Sequence, residues 1–243
     1  MIRLVTLDFW HTLFADTADG LRRAHALRLE GVRAALAEGG HLYDAGELAS
    51  ADARAGEGLA AVWQEHRDIA ADEQLRVFLG GLDPTLPGVL GPVALERVAR
   101  AYQETALTHR PEITPGAAEA VHELRARGLA LGLISNTGRT PGRVLRRLLA
   151  DAGILPCFDT LVFSDEAGVR KPAAAIFRRV LDHVRIDAAA GVHVGDDAVA
   201  DVAGAQDAGM RAIHFVSAVA PAAAADAVLC RFADLPDVVA RLR

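Results

Sequence analysis

Of the 26 basic residues in this 243-residue chain only one is a lysine, Lys171; the others are arginines. Cysteine is almost as scarce, with only Cys157 and Cys230 present. Two cysteines in a chain of this length make no disulfide framework, so both thiols are expected to be reduced and mostly buried. No apolar run approaches the ~20 residues that cross a bilayer, and the opening Met-Ile-Arg-Leu-Val-Thr-Leu-Asp lacks the basic segment and apolar core of a secretory signal. These absences make a cytoplasmic protein with no membrane partner the expectation. An excess of positive charge is missing too. The formal net charge is -6, which argues against a nucleic-acid partner but leaves anionic small molecules open, since a site can be locally positive in an acidic protein. With 51% apolar residues, wholesale disorder is excluded, and the length suits one large domain or a domain with a smaller insert.

What is present is an alternation. Ile2 to Leu7 is a short run of β-formers ending at an acid and reads as a buried strand. An amphipathic stretch from Ala117 to Arg127 ends at Gly128, suited to a helix C-terminus, and a second apolar run follows from Leu129 to Ile134. Thr140 and Pro141 are expected to open a helix to about Ala150, with Thr140 as N-cap and Pro141 in the first turn. Strands are then expected at Thr160 to Phe163, Val192 to Val194, Ile213 to Val216 and Ala227 to Leu229. Helices are expected at Ala173 to Val184 and Ala198 to Ala208, and a surface turn at Pro221 to Ala225. Strands alternating with helices predict an α/β fold, a Rossmann-like parallel sheet whose ligands bind beyond the C-terminal strand ends.

From about residue 15 to residue 110 the alternation stops. Helical spacing appears at Gly20 to Ala37, Glu47 to Ala70, Asp72 to Leu79 and Val93 to Leu107, with a Gly- and Pro-rich loop from Gly80 to Pro92. An all-helical domain inserted into the α/β core is the simplest account. The core then comprises residues 1–14 and 112–243, and the insert residues 15–111. The insert's apolar residues serve either a dimer or its own core.

Polar residues cluster at the expected strand ends. Asp8 closes the first strand; Ser135 and Asn136 follow the second; Lys171 precedes Pro172; Gly195, Asp196 and Asp197 follow Val194, with Asp201 shortly after. Each has a plain alternative: a turn acid, a turn Ser-Asn, a solvated lysine, acids capping a helix. Their chemistry is nevertheless coherent. Hydroxyl and amide groups donate to phosphoryl oxygens, an ammonium bridges a carboxylate and a phosphoryl group, and clustered carboxylates suit a hard cation such as magnesium.

Taken together and in order, Leu7-Asp8-Phe9-Trp10-His11-Thr12-Leu13, Leu133-Ile134-Ser135-Asn136, Arg170-Lys171-Pro172 and Val194-Gly195-Asp196-Asp197 with Asp201 resemble the four motifs of the haloacid dehalogenase superfamily. The resemblance covers residues 1 to 14 and about 112 to 220, and it puts the insert where that family carries a helical cap of the C1 type. It implies a hydrolase, most often a phosphatase, acting on a small phosphorylated metabolite with Mg2+. Asp8 is then the nucleophile that forms a covalent aspartyl intermediate, Lys171 neutralises charge, and Ser135 with Asn136 holds phosphoryl oxygens. Asp8, Asp196 and the Trp10 carbonyl ligate the metal, and Asp201 or Asp197 orients metal-bound water.

One position departs from the pattern. The family's phosphatases place a second aspartate two residues after the nucleophile, as general acid and base; here Trp10 stands there, and His11 replaces the usual glycine. Indole donates a hydrogen bond but does not transfer protons at ordinary pH. Three readings follow: a substrate whose leaving group needs no proton, such as an acyl phosphate; His11 as substitute acid and base; or 2-haloacid dehalogenase chemistry. The family's 2-haloacid dehalogenases also carry an aromatic residue here but lack the metal acids, so retention of Asp196 and Asp197 favours phosphoryl transfer. A catalytically weak binding or regulatory module is the remaining alternative. In the insert, Arg22, Arg23, His25, Trp63, His66 and Arg67 are candidates to face the substrate.

Overall fold

The computed structural model describes residues 1–216, 222 and 224–242. The predicted turn at Pro221 to Ala225 falls partly outside them, at Pro221 and Ala223. In chain order the elements are β1 (Leu4–Leu7), β2 (Phe14–Ala15), α1 (Ala18–Glu38), α2 (Ala45–Gln64), α3 (Ala71–Leu82), α4 (Leu86–Val89), α5 (Pro92–Gln103), α6 (Thr105–Thr108), β3 (Glu112–Ile113) and α7 (Ala117–Ala126). There follow β4 (Ala130–Ser135), α8 (Gly142–Asp151), β5 (Thr160–Phe163), α9 (Ser164–Ala167), α10 (Ala174–Val184), β6 (Gly191–Gly195), α11 (Gly204–Asp207), β7 (Arg211–Phe215), β8 (Ala227–Leu229) and α12 (Leu235–Arg241).

Six strands form one parallel sheet in the order β5-β4-β1-β6-β7-β8. β1 is central: Leu7 is level with Leu133 of β4 on one side and Val194 of β6 on the other. That register brings Asp8, Ser135 and Asp196 to the same edge of the sheet, because each ends or directly follows one of these three adjacent strands. Helices pack on both faces. One apolar cluster joins β1 and β4 to α7 and α8 through Val5, Leu133, Val121 and Leu145; the other joins Leu4 and Ile134 to Phe177 and Val202.

The short antiparallel pair β2–β3 joins the two chain crossings between the core and the helical insert. The insert has its own apolar cluster, built around Val32, Leu36, Leu75, Phe78 and Tyr102. Thr17 caps α1 by accepting from the Gly20 N–H at 2.9 Å, and Asp44 with Glu47 forms a reciprocal capping box on α2.

Several predicted helix boundaries are corrected. The helix expected over Glu47 to Ala70 stops at Gln64, because His66 takes a left-handed φ of 55° and Asp68 turns inward to the core. The Val93 to Leu107 helix is two helices broken at Glu104, and the Gly80 to Pro92 loop contains the end of α3 and the short α4. Thr140 does not cap α8. Pro141 is its N-cap, and the first N–H, from Gly142, is satisfied by the Asp165 carboxylate, both oxygens at 3.3 Å. The Ala198 to Ala208 helix opens with a wider π-helical turn over Ala198–Ala203, whose Val202 N–H donates to the Asp197 carbonyl at 3.2 Å.

Candidate active site

Lys171 lies at the centre of the site, on the loop between α9 and α10, its side chain 2% exposed and buried between two carboxylates rather than facing water. Its Nζ is 2.5 Å from Asp8 Oδ1 and 2.5 Å from Asp201 Oδ1. The lysine backbone is fixed by the Asn136 side chain, which accepts from the Lys171 N–H at 2.8 Å and donates to the Lys171 carbonyl at 3.0 Å. Asn136 thereby positions Lys171, and its amide is occupied in doing so. The Lys171–Pro172 peptide is cis.

Asp201 reaches back into the site because of the π-helical turn. Its Oδ2 accepts from the Asp197 N–H at 2.9 Å, and its Oδ1 is 3.0 Å from His193 Nε2. The opposite ring nitrogen of His193 is 2.8 Å from Thr6 Oγ1. Gly195 makes room for this seat: a Cβ there would lie 2.2 Å from the Asp201 carboxyl carbon. Asp196 accepts from Thr12 Oγ1 at 3.4 Å, and its backbone carbonyl is 2.8 Å from His214 Nε2. Asp197 is exposed and caps the following turn by accepting from the Val199 and Ala200 N–H groups. Of the two acids considered for orienting water, Asp201 is inside the cluster and Asp197 is engaged as a helix cap.

Burial shapes the protonation of these groups. It pushes the Asp8 carboxyl up to about 7, with the like charges of Asp201 and Asp196 adding to the rise and Lys171 opposing it. Burial, followed by repulsion from Asp201, also raises Asp196. Asp201 goes the other way. Burial works against its ionisation, but the Lys171 ammonium and the His193 imidazole outweigh it and hold the carboxyl below its usual range. His193 is lowered by burial and so kept neutral, and Lys171, although buried, is held charged by Asp201 and Asp8.

The donor set fits a divalent cation. One carboxylate oxygen each from Asp8, Asp196 and Asp201 lie within 4.8 Å of one another. Full ionisation of all three acids beside one ammonium would leave two negative charges uncompensated, which is why Asp8 and Asp196 are raised and why a cation would favour their ionised forms. Asp201 already takes three hydrogen bonds, from Lys171, His193 and the Asp197 backbone, which leaves Asp8 and Asp196 as the freer ligands. The Ser135 hydroxyl, fully buried at the end of β4, has no hydrogen-bond partner among the described residues. A buried polar atom of this kind is costly unless something arrives to pair with it.

A cavity of about 320 Å3 lies between this end of the core and the helical insert. Trp10, Asn136 and Thr137 line it from the core side and Arg28 and Trp63 from the insert. Trp10 is half-buried, edge-on to Phe9 with ring centroids 4.9 Å apart. His11 is exposed at a left-handed φ of 56° and borders the same cavity. Among the insert residues singled out from sequence, Trp63 lines the cavity. His25 lies 3.6 Å from Asp52, while Arg22 and Arg67 pair with surface acids and Arg23 lies on a neighbouring cavity.

The sequence reading missed the buried ties between insert and core. Asp52 of α2 accepts from Arg139 Nε at 2.8 Å. Asp68 binds Ser164 Oγ at 2.5 Å, Arg170 at 3.0 Å and Trp63 Nε1 at 3.0 Å. It also missed His193, whose only sequence signal is a polar residue between two valines in a buried strand.

The chain belongs to the haloacid dehalogenase-like hydrolases, whose pattern it matches over residues 2–209. Among named relatives it is 36% identical over 109 residues to haloacid dehalogenase-like hydrolase domain-containing protein 3 of Xenopus laevis, covering 45% of this chain and 43% of that one. It is 32% identical over 117 residues to a glyceraldehyde 3-phosphate phosphatase of Pyrococcus abyssi (strain GE5 / Orsay), covering 47% of each. The chain spans about half the length of the curated relatives it matches. Among solved structures, a 2-haloacid dehalogenase from Pseudomonas syringae pv. Tomato DC3000 aligns over 100% of both chains with a TM-score of 0.72 and 29% identity. The hydrolase class, the α/β fold and the phosphatase-named relatives agree with the expectations from sequence. Among the described residues no helix is long and apolar enough to cross a membrane.

Proposed function

We propose that this chain is a Mg2+-dependent hydrolase that releases phosphate from a small phosphorylated metabolite through a covalent intermediate on Asp8, with residues 15–111 capping a core of residues 1–14 and 112–243. The observation that carries this reading is the cluster of Asp8 and Asp201, buried on either side of the Lys171 ammonium, with the half-buried Asp196 beside them, an acid-rich set that suits a divalent cation and a phosphoryl group arriving together. Magnesium would be held by Asp8, Asp196 and the Trp10 carbonyl, and when bound it offsets charge on the nucleophile and the transferring group.

The chain's own residues do the rest. Asp8 Oδ1 is held by Lys171, and a carboxylate oxygen of Asp8 attacks phosphorus as the bond to the leaving oxygen breaks. Lys171 keeps nucleophile and phosphoryl group from repelling each other. Ser135 Oγ donates to a phosphoryl oxygen and so gains the partner it lacks. Water then cleaves the acyl phosphate, regenerating Asp8 and releasing phosphate. Asp201 acts through Lys171 and His193 by fixing the ammonium.

Trp10 lines the cavity where an acid and base would stand, so the leaving group departs without a proton from that position. A carboxylate leaving group, with a pKa near ~4, needs none, and acyl phosphates are the proposed substrate chemistry. His11, exposed at the cavity border, remains the proposed substitute where a proton is needed. The reducing cytoplasm is the proposed compartment, since Cys157 and Cys230 are both unpaired. A second reading, 2-haloacid dehalogenation, is favoured by Trp10 and by the 29% identity to a dehalogenase along the whole chain. One assay separates the two: purified protein with acetyl phosphate, phosphate monoesters and 2-haloacids, with and without EDTA. Phosphate release abolished by EDTA supports the phosphatase; metal-independent halide release replaces it with the dehalogenase.

A further inference from the structure

Three guanidinium groups line the cavity between core and insert: Arg28 from α1, Arg139 after β4, and Arg170 beside Lys171. Two have carboxylate partners, Arg139 with Asp52 at 2.8 Å and Arg170 with Asp68 at 3.0 Å. Arg28 has none within 4.0 Å among the described residues. Its neighbours on the helix behave differently: Arg22, Arg23 and Arg33 point outward and pair with Asp19 or Glu30 on the same helix.

Arg28 is nevertheless held in place. Its Nε donates to the Tyr102 carbonyl at 2.9 Å, and its guanidinium carbon is 5.9 Å from the centre of the Tyr102 ring. Its two terminal nitrogens have no hydrogen-bond partner among the described residues. A fixed guanidinium with two free donors has the fork geometry that pairs with a carboxylate through two parallel hydrogen bonds. A charge drawn into a cavity wall without a partner is unfavourable and gains when an anion arrives. The rest of the lining sets apolar Trp10, Leu21, Ala24 and Trp63 beside polar groups such as Asp16, His109 and Thr137. The volume of about 320 Å3 equals roughly ten waters at ~30 Å3 each, room for an organic acid of a few carbons.

We propose that Arg28 binds a carboxylate of the substrate at the end remote from the group Asp8 attacks, so that the substrates are small phosphorylated carboxylic acids with a short apolar body. This rests on the phosphatase reading above, and the binding experiment below separates the two. Isothermal titration calorimetry on the full chain with Mg2+ compares 3-phosphonopropionate with propylphosphonate, which differ by the terminal carboxylate. The wild type is expected to bind the carboxylate-bearing probe about 10–100-fold more tightly, the range of a charge-assisted hydrogen-bonded pair. In Arg28→Gln that ratio falls to near one, and Arg28→Lys keeps only part of it. Circular dichroism melting shows that the variants remain folded.

Equal affinity for both phosphonates in the wild type, or a preference that survives in folded Arg28→Gln, overturns the proposal while leaving the phosphatase reading standing. Succinate provides the opposite control. If neither phosphonate binds but succinate binds in an Arg28-dependent manner, carboxylate recognition holds and the phosphoryl reading fails. If none of the three binds, the proposal fails with it.

Discussion

Replacing Lys171 by methionine removes the ammonium held between Asp8 and Asp201 while keeping a side chain of similar length. In the wild type that ammonium is 2.5 Å from both carboxylates, and all three side chains are at least nine-tenths buried. Breaking a buried ion pair from one side costs about 3–5 kcal/mol, because the remaining charge has no partner. The loss depends on pH, and its sign follows from the two acids. In the wild type Asp201 is held below its usual range, so it adds stability above its unfolded value, and that contribution is lost as pH falls through the depressed folded value. Without Lys171, Asp8, already raised to about 7 in the wild type, rises further, and burial and mutual repulsion raise Asp201 above its unfolded value as well. A raised carboxyl disfavours folding as pH rises above the unfolded value, by about 1.4 kcal/mol per pH unit until the folded pKa is passed. The Lys171→Met deficit is therefore largest near about pH 8 and smaller near about pH 5, where the acids take up protons. Urea unfolding of both proteins at the two pH values measures it. A loss under about 1 kcal/mol at the higher pH, or the same loss at both, would show that Lys171 does not hold these acids, because a buried and unpaired carboxylate cluster is bound to respond to both changes.

Gly195→Ala puts a Cβ 2.2 Å from the Asp201 carboxyl carbon; it is expected to cost about 1–3 kcal/mol in urea unfolding and to lower kcat by moving Asp201 off Lys171 and His193. Unchanged stability and turnover would show that the seat is looser than described. Trp10→Asp restores a proton donor beside the cavity and should raise turnover of alkyl phosphate esters about 10²–10⁴-fold while changing acyl phosphate turnover little. An equal effect on both substrate types would detach Trp10 from leaving-group chemistry. Because burial pushes Asp8 up to about 7, Mg2+ binding below that pH must displace a proton, so its affinity should weaken about tenfold per pH unit as pH falls and level off above it. Calorimetry at a series of pH values reads this directly, and a flat affinity would remove Asp8 from the ligand set.

The sheet was legible because buried strands are written locally. Apolar runs ending in polar residues placed β1, β4 and β6 and their terminal Asp8, Ser135 and Asp196 within a residue or two. What determines the remaining geometry is not local. The α2 helix ends early because Asp68 finds Ser164, Arg170 and Trp63, partners as many as 102 positions away. The first turn of α8 is capped by Asp165 from a later element, so Thr140-Pro141 misled as a local cap signal. Asn136 looked like a phosphoryl donor, yet its amide holds the Lys171 backbone, 35 positions on. The π-helical turn that lets Asp201 double back has a sequence indistinguishable from that of an ordinary helix, and His193 acquires its place only through contact with Asp201 and Thr6. Arg28, one arginine among many on helices, stands out only once the acids around it are seen to be paired with others.

The proposed mechanism turns on covalent attachment of the phosphoryl group to Asp8. Acid-quenched protein, mixed with acetyl phosphate and Mg2+ for less than a turnover, can be measured by intact mass and peptide mapping. A single phosphoryl adduct is expected on the peptide carrying Asp8, absent in Asp8→Asn and absent with EDTA. Phosphate release by folded wild type with no adduct on that peptide, or release that persists in Asp8→Asn, would contradict it.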